Sequence, residues 1–335
     1  MLKGQVDVRL ERKLIDLYKQ HTERAARIDW SYHDFLPLGE LGITPPPPDR
    51  EDLFNDQIIK TPHIKRSQLS PEIYLAVETA LLTEVNLPWF TTELYTTFKG
   101  SLQVLIDFVH TWTAEEDQHS CLLDTYLLLT NNGDALARRK LRKQVIMIGH
   151  HTGLDSPLET MVYTTIQERA TMVFYLNVAQ ACEAEDPGLA AVLRRLAKDE
   201  TLHFTFYRDA TLEHIQLNPN LVELVTSVML KFQMPGAIMP NYDERMAVIA
   251  KHAHYGPAEY YTQVVDELVK YWDIPNLKPD YLAAQDAQRE LLAYHSRLGR
   301  IAARLNRQVG KTPSQEEAAD RYQHAVKNGV LPPVV

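Results

Sequence analysis

Two strings, TWTAEEDQHS (111–120) and AKDETLHFTF (197–206), constrain this chain more than any other feature. Each carries a Glu three residues before a His, as Glu116/His119 and Glu200/His203. On a helix, positions i and i+3 share a face about 5–6 Å apart, so a carboxylate and an imidazole there can hold one metal ion. Apolar neighbours such as Leu122, Leu123, Leu196 and Phe204 predict that both helices are buried. Two further acids fall among apolar residues: Glu84 in LLTEVNLPWF and Glu168 in TTIQERATMVF. An uncompensated carboxylate in such a place is costly. Glu84 precedes Glu116 by 32 residues, and Glu168 precedes Glu200 by 32. Each half of the pattern is thus a helix pair giving one Glu and one Glu-x-x-His.

The rest of the chain agrees with an all-α fold. Its 335 residues include only 13 glycines, roughly 4% against a usual 7%. No alternating strand pattern, solenoid repeat or low-complexity tract is visible. Residues 1–70 read as an N-terminal helix (7–27) followed by an extended arm containing Pro45–Pro48. Residues 71–216 read as four long helices, one kinked at Pro88, with a shorter basic helix between them. Residues 217–310 read as further helices packed on this bundle in the same domain, and 311–335 as a poorly ordered tail. The chain carries 35 Lys and Arg against 44 Asp and Glu, a net charge of −9, which argues against indiscriminate nucleic-acid binding. Cys121 and Cys182 cannot build a disulfide framework. No apolar run approaches the roughly 20 residues of a membrane span, and no signal or transit peptide is seen. A cytoplasmic location is the expectation.

One Glu from each of two helices and Glu-x-x-His from each of two others is the ligand set of ferritin-like dimetal bundles. Glu84, Glu116, His119, Glu168, Glu200 and His203 are therefore the candidate ligands. Four carboxylates contribute −4, which two divalent cations neutralise. Oxygen and nitrogen donors without thiolate suit iron or manganese better than zinc. Glu115, Asp117 and Asp199 flank the motifs, and a solvated acidic stripe is the competing explanation. The matched spacing on four helices favours the metal site.

At this point the sequence resembles the soluble acyl-carrier-protein desaturases of the plant stearoyl and mycobacterial type. TEVNLP is similar to the family's T-E-[ED]-x-L-P, WTAEEDQH to W-T-A-E-E-N-R-H, and DETLH to D-E-x-x-H. QERAT (167–171) matches as it stands, and DWSYHDFLP and FQMPGAIMP resemble flanking family segments. The likeness spans roughly residues 27–275. It departs at Asp117 and Gln118, where the family usually has Asn-Arg, on positions turned from the ligand face.

The resemblance implies an oxidoreductase that inserts a cis double bond into a fatty acyl chain on acyl carrier protein. It implies two iron ions per chain, dioxygen, two electrons from a ferredoxin-like donor, and a homodimer. No side chain removes hydrogen from an unactivated methylene, so a cofactor must. By the same resemblance Glu116 and Glu200 bridge the metals, and Glu84 and Glu168 are terminal. Asp199 orients His119, and Trp30 completes a Trp30–Asp199–His119 electron path, with packing of the arm as the alternative for Trp30. Thr171 offers a hydroxyl toward the metals, with a bond back to its own helix as the alternative. Trp112 reads as packing or a donor near Glu116. His150 and His151 read as a helix C-terminal cap pair, and His252 and His254 have no partnered carboxylates. The run ARRKLRKQ (137–144) is a solvated face or the docking site of an acidic carrier protein. Iron storage is the main competing class. A hydroxylase or a ribonucleotide-reductase-like protein is another, with Tyr175 or Tyr126 as the radical candidate.

Overall fold

The computed structural model describes residues 7–39 and 69–309, and every described element is helical. Helix starts follow side-chain chemistry. Asp7 accepts hydrogen bonds from the first turn of α1 (Val8–Arg27). Ser70 caps α2 (Pro71–Glu84), Ser156 caps α6 (Pro157–Cys182) and Asp186 caps α7 (Pro187–Leu217). Each of these three caps precedes a proline at the first helical position, where the missing N–H costs nothing.

The expected single kinked helix over 71–98 is two helices, α2 and α3 (Leu87–Phe98), broken at Val85–Asn86. Pro88 has no N–H to continue the ladder. At the break Asn86 N bonds Thr83 O (3.2 Å), and the buried Asn86 side chain donates back to the carbonyls of Leu82 (3.3 Å) and Thr83 (3.4 Å). Glu84 is therefore the last residue of its helix.

The bundle is built from α2 and α3, α4 (Gln103–Leu129), α6 and α7, with α6 and α7 the most extensively paired. Among its 26 residues α6 buries Thr160, Thr164, Thr165 and a long apolar series, as a central helix must. The basic helix α5 (Ala135–Ile148) packs on α2. Helix α1 lies across α7 and α4. The later helices cover the opposite flank: α8 (Val222–Lys231) against α6, and α9 (Tyr242–His252) against α2. They continue with α10 (Pro257–Tyr260), a π-helical segment (Tyr261–Val265), α11 (Asp266–Tyr271) and α12 (Leu282–Val309). One cluster of buried apolar side chains runs from Leu10 to Leu298. No described helix is long and apolar enough to cross a membrane. The proline-rich arm and the tail lie outside the described residues.

Candidate metal centre

The four bundle helices bring all six candidate ligands together. Glu84 comes from the end of α2, Glu116 and His119 from α4, Glu168 from α6, and Glu200 and His203 from α7. They fall into two groups whose donor atoms lie within 4.8 Å of one another: Glu84, Glu116, His119, Glu200, and Glu116, Glu168, Glu200, His203. Glu116 and Glu200 belong to both groups; Glu84 and Glu168 each belong to one. His119, Glu168 and His203 are wholly buried.

The contacts converge on points between side chains. His203 Nδ1 is 2.8 Å from Glu116 Oε1, and His119 Nδ1 is 3.1 Å from Glu116 Oε2, so Glu116 turns one oxygen to each imidazole. His119 Nδ1 is also 3.2 Å from Glu200 Oε1. The angles are not those of hydrogen bonds. Glu116 Oε1, Glu168 Oε2, Glu200 Oε1, His119 Nδ1 and His203 Nδ1 are buried and make none.

Metal-free, these groups disturb each other. Burial and the neighbouring Glu116 push the Glu84 carboxyl up to about 7, and the same two causes hold Glu200 well above the usual carboxylate range. Burial alone would lower His119 and His203. The surrounding carboxylates outweigh it, chiefly Glu116 at His119 and Glu115 at His203, and raise both.

The second ring nitrogens are held from outside. His119 Nε2 donates to Asp199 Oδ2 (3.4 Å), which also accepts from Trp30 Nε1 (2.7 Å). Arg195 pairs with the other Asp199 oxygen and lies over the Trp30 ring. His203 Nε2 donates to Glu115 Oε2 (2.9 Å), which also accepts from His21 Nε2 (3.0 Å). Burial opposes ionisation of Glu115, but His203 and His21 override it and lower its carboxyl to about 2. Glu115 was not among the sequence candidates. The signal was its symmetry with Asp199: each stands immediately before the Glu of one motif and holds the His of the other. His21 had no such signal.

Other side chains complete the wall. Trp112 Nε1 donates to Glu168 Oε1 (3.0 Å), and the Tyr175 hydroxyl donates to Glu84 Oε1. Thr171 lies beside Glu84 and Glu200 on a pocket of about 370 Å³. Its hydroxyl makes no hydrogen bond among the described residues, unlike Thr164 and Thr165, which donate to carbonyls one turn back. A mainly apolar pocket of about 380 Å³, lined by Phe174, Met234, Tyr242 and Met246, shares Glu84 and Thr171 with it.

Gln118 is turned from the ligand face, and there it accepts from Tyr32 N (2.8 Å) and donates to Trp30 O (3.0 Å), tying down the N-terminal segment. Several expectations are corrected. Arg138 in the basic run is buried and bonded to Asp124 (3.0 Å), so it offers no surface charge. His150 and His151 do not cap α5. His150 meets the Tyr163 hydroxyl (3.0 Å), and His151 packs on Trp89. Tyr126 bonds Asp186 (2.9 Å), and only Tyr175 reaches the centre.

A helical bundle with paired Glu and Glu-x-x-His donors in its core defines the ferritin-like class. The fatty acid desaturase family model matches residues 3–322. A Mycobacterium tuberculosis protein named as acyl-[acyl-carrier-protein] desaturase DesA1 is 30% identical over 254 residues, covering 73% of this chain and 71% of its own. Stearoyl-[acyl-carrier-protein] 9-desaturase 3 of Arabidopsis thaliana, a chloroplastic protein, is 28% identical over 302 residues, covering 84% and 71%. The X-ray structure of the acyl-ACP desaturase DesA2 from M. tuberculosis superposes with a TM-score of 0.56 at 19% identity, covering 83% of this chain and 98% of that one. This chain belongs to the fatty acid desaturase family, among the acyl-carrier-protein desaturases, and is an oxidoreductase.

Proposed function

We propose that this protein desaturates a fatty acyl chain carried on acyl carrier protein, using two irons held by Glu84, Glu116, His119, Glu168, Glu200 and His203. The observation that carries the reading is the set of five buried, unbonded donor atoms converging in two groups. Leaving each unsatisfied costs about 1–3 kcal/mol, which bound cations offset. Hard oxygen and imidazole donors fit iron. Membership of both groups supports Glu116 and Glu200 as bridges, with Glu84 and Glu168 terminal.

Bound iron, with dioxygen and two electrons from a ferredoxin-like donor, supplies the oxidising power that no side chain has. Two C–H bonds on adjacent methylenes are lost and a cis double bond forms. Dioxygen takes up those two hydrogens, two electrons and two protons to give two waters.

The chain's own residues do the rest. Asp199 and Glu115 accept the Nε2–H of His119 and His203, fixing the tautomer that turns each Nδ1 lone pair inward. Trp30, Asp199 and His119 make a continuous bonded route from the N-terminal segment to the centre, suited to electrons. The Thr171 hydroxyl holds a proton at Oγ1 beside Glu84 and Glu200. The adjoining pocket, lined mainly by apolar side chains, suits an acyl chain. Exposed Arg139, Lys140 and Lys143 on α5 suit an acidic carrier protein.

Mass spectrometry of products from a panel of acyl-carrier substrates, with reductant and oxygen, tests this. A product two mass units lighter, with one cis double bond, is expected from at least one chain length. Oxygen-dependent iron mineral with no acyl product would instead indicate storage.

A further inference from the structure

The two imidazoles of the centre are held through carboxylates, and both carboxylates are held in turn by one segment of chain. His21, on α1, donates to Glu115 (3.0 Å), which holds His203. Trp30, in the turn after α1, donates to Asp199 (2.7 Å), which holds His119. His21 is buried against Phe108 and Phe206, and its Nδ1 makes no hydrogen bond. Its only hydrogen bond is therefore the one to Glu115. The segment is fastened on both sides of these contacts, by Tyr18 to Thr111 (2.8 Å) and by Gln118 to the backbone at Trp30 and Tyr32. It rests on α4 and α7, the two helices that carry the Glu-x-x-His pairs.

We propose that residues 8–35 act as a clasp on the metal centre, with His21 as a positioning residue for the His203 half, so that docking of the segment and metal occupancy stabilise each other. The proposal rests on the metal reading above. The physical reason is directional. A free Glu115 carboxylate can rotate and release His203 Nε2, and His203 Nδ1 then loses its aim. With His21 Nε2 set against both carboxylate oxygens (3.0 Å to Oε2, 3.3 Å to Oε1), rotation of the Glu115 carboxylate away from His203 is opposed. Losing the group that directly holds a ligating His typically weakens metal binding by about 10–100-fold, and His21, which holds that group, acts within this limit. Linkage is reciprocal, so whatever factor the docked segment adds to metal affinity, the metal adds to docking. Trp30 does the same for the His119 half, apart from any part it has in electron flow.

Hydrogen exchange of α1 amides in the full-length protein, metal-free and loaded anaerobically with ferrous iron, tests the clasp without any variant. Iron is expected to slow exchange in α1. In His21→Leu, which keeps apolar bulk against Phe108 and Phe206 but removes the donor, iron binding should weaken severalfold, up to about 10–100-fold, at one of two sites. The slowing in α1 should shrink with it. His21→Gln, whose amide can donate to Glu115, should restore both. Iron that binds the wild type and leaves α1 exchange unchanged overturns the clasp alone. So does a His21→Leu protein with wild-type iron affinity, or a defect that His21→Gln fails to repair. A wild-type chain that takes up no iron overturns the metal centre, and the clasp with it.

Discussion

His119 Nδ1 and Glu200 Oε1 lie 3.2 Å apart in the core of the bundle, and neither makes a hydrogen bond. Two buried polar atoms facing each other in this way are satisfied either by a shared proton or by a cation between them. The metal-free site therefore holds protons where the loaded site holds metal.

This gives a pH dependence with a definite sign. Glu84 is raised to about 7, and Glu200, His119 and His203 are raised as well. A group raised in the folded state favours folding below its unfolded value and loses that contribution as pH climbs through its folded value. For Glu84 the window runs from its ordinary value of 4.5 to about 7, and the histidines extend it upward. Metal-free protein should lose thermal stability as pH rises from 4.5 through about 7. Divalent metal should remove much of that loss, and its binding should release protons measurable by calorimetry in buffers of different ionisation enthalpy.

Thr171→Val keeps side-chain shape and removes the hydroxyl that makes no bond within its own helix. The variant should fold and bind two irons. Double bonds formed per oxygen consumed should fall several-fold, with oxygen diverted to peroxide or water. Product and oxygen uptake measured together check this, and an unchanged ratio would remove the hydroxyl from the chemistry.

Asp199→Asn can still bond His119 but lacks the charge that pairs with Arg195 and supports a positive centre. Retained iron with at least tenfold slower reduction by an external donor is expected, read by stopped-flow absorbance. Normal reduction with reduced melting temperature would make Asp199 a packing residue.

Charge reversal on α5 divides by burial. Arg139→Glu, Lys140→Glu and Lys143→Glu together should raise the KM for acyl carrier substrate and flatten its salt dependence, leaving kcat unchanged. Arg138→Glu should lower the melting temperature, because it puts a carboxylate at a buried position beside Asp124 and removes the bonds to Asp124 and to the Asn132 carbonyl. KM insensitive to the triple change would leave α5 a solvated face.

The parts of the fold legible in the sequence are those whose cause is local. Ser70-Pro71, Ser156-Pro157 and Asp186-Pro187 announce helix starts within the chain itself, and the Glu-x-x-His spacing sets one helical face. The break after Glu84 was less legible, because it depends on the Asn86 side chain reaching back to the carbonyls of Leu82 and Thr83. His21 and Gln118 were illegible for a different reason. Their partners lie 94 and about 88 residues away in sequence, and nothing in their neighbours marks the contact. Arg138 misled because a charged residue in a basic run looks solvated until its Asp124 partner is seen.

Iron content per chain after anaerobic reconstitution and desalting tests the central claim most directly, in wild type and in Glu116→Ala and His203→Ala. Close to two irons in the wild type is predicted, with most of the metal lost in both variants, since Glu116 faces both imidazoles and His203 supplies the only nitrogen of its group. Two irons retained in either variant, or a wild type that holds none, would contradict the assignment of these six side chains as the metal centre.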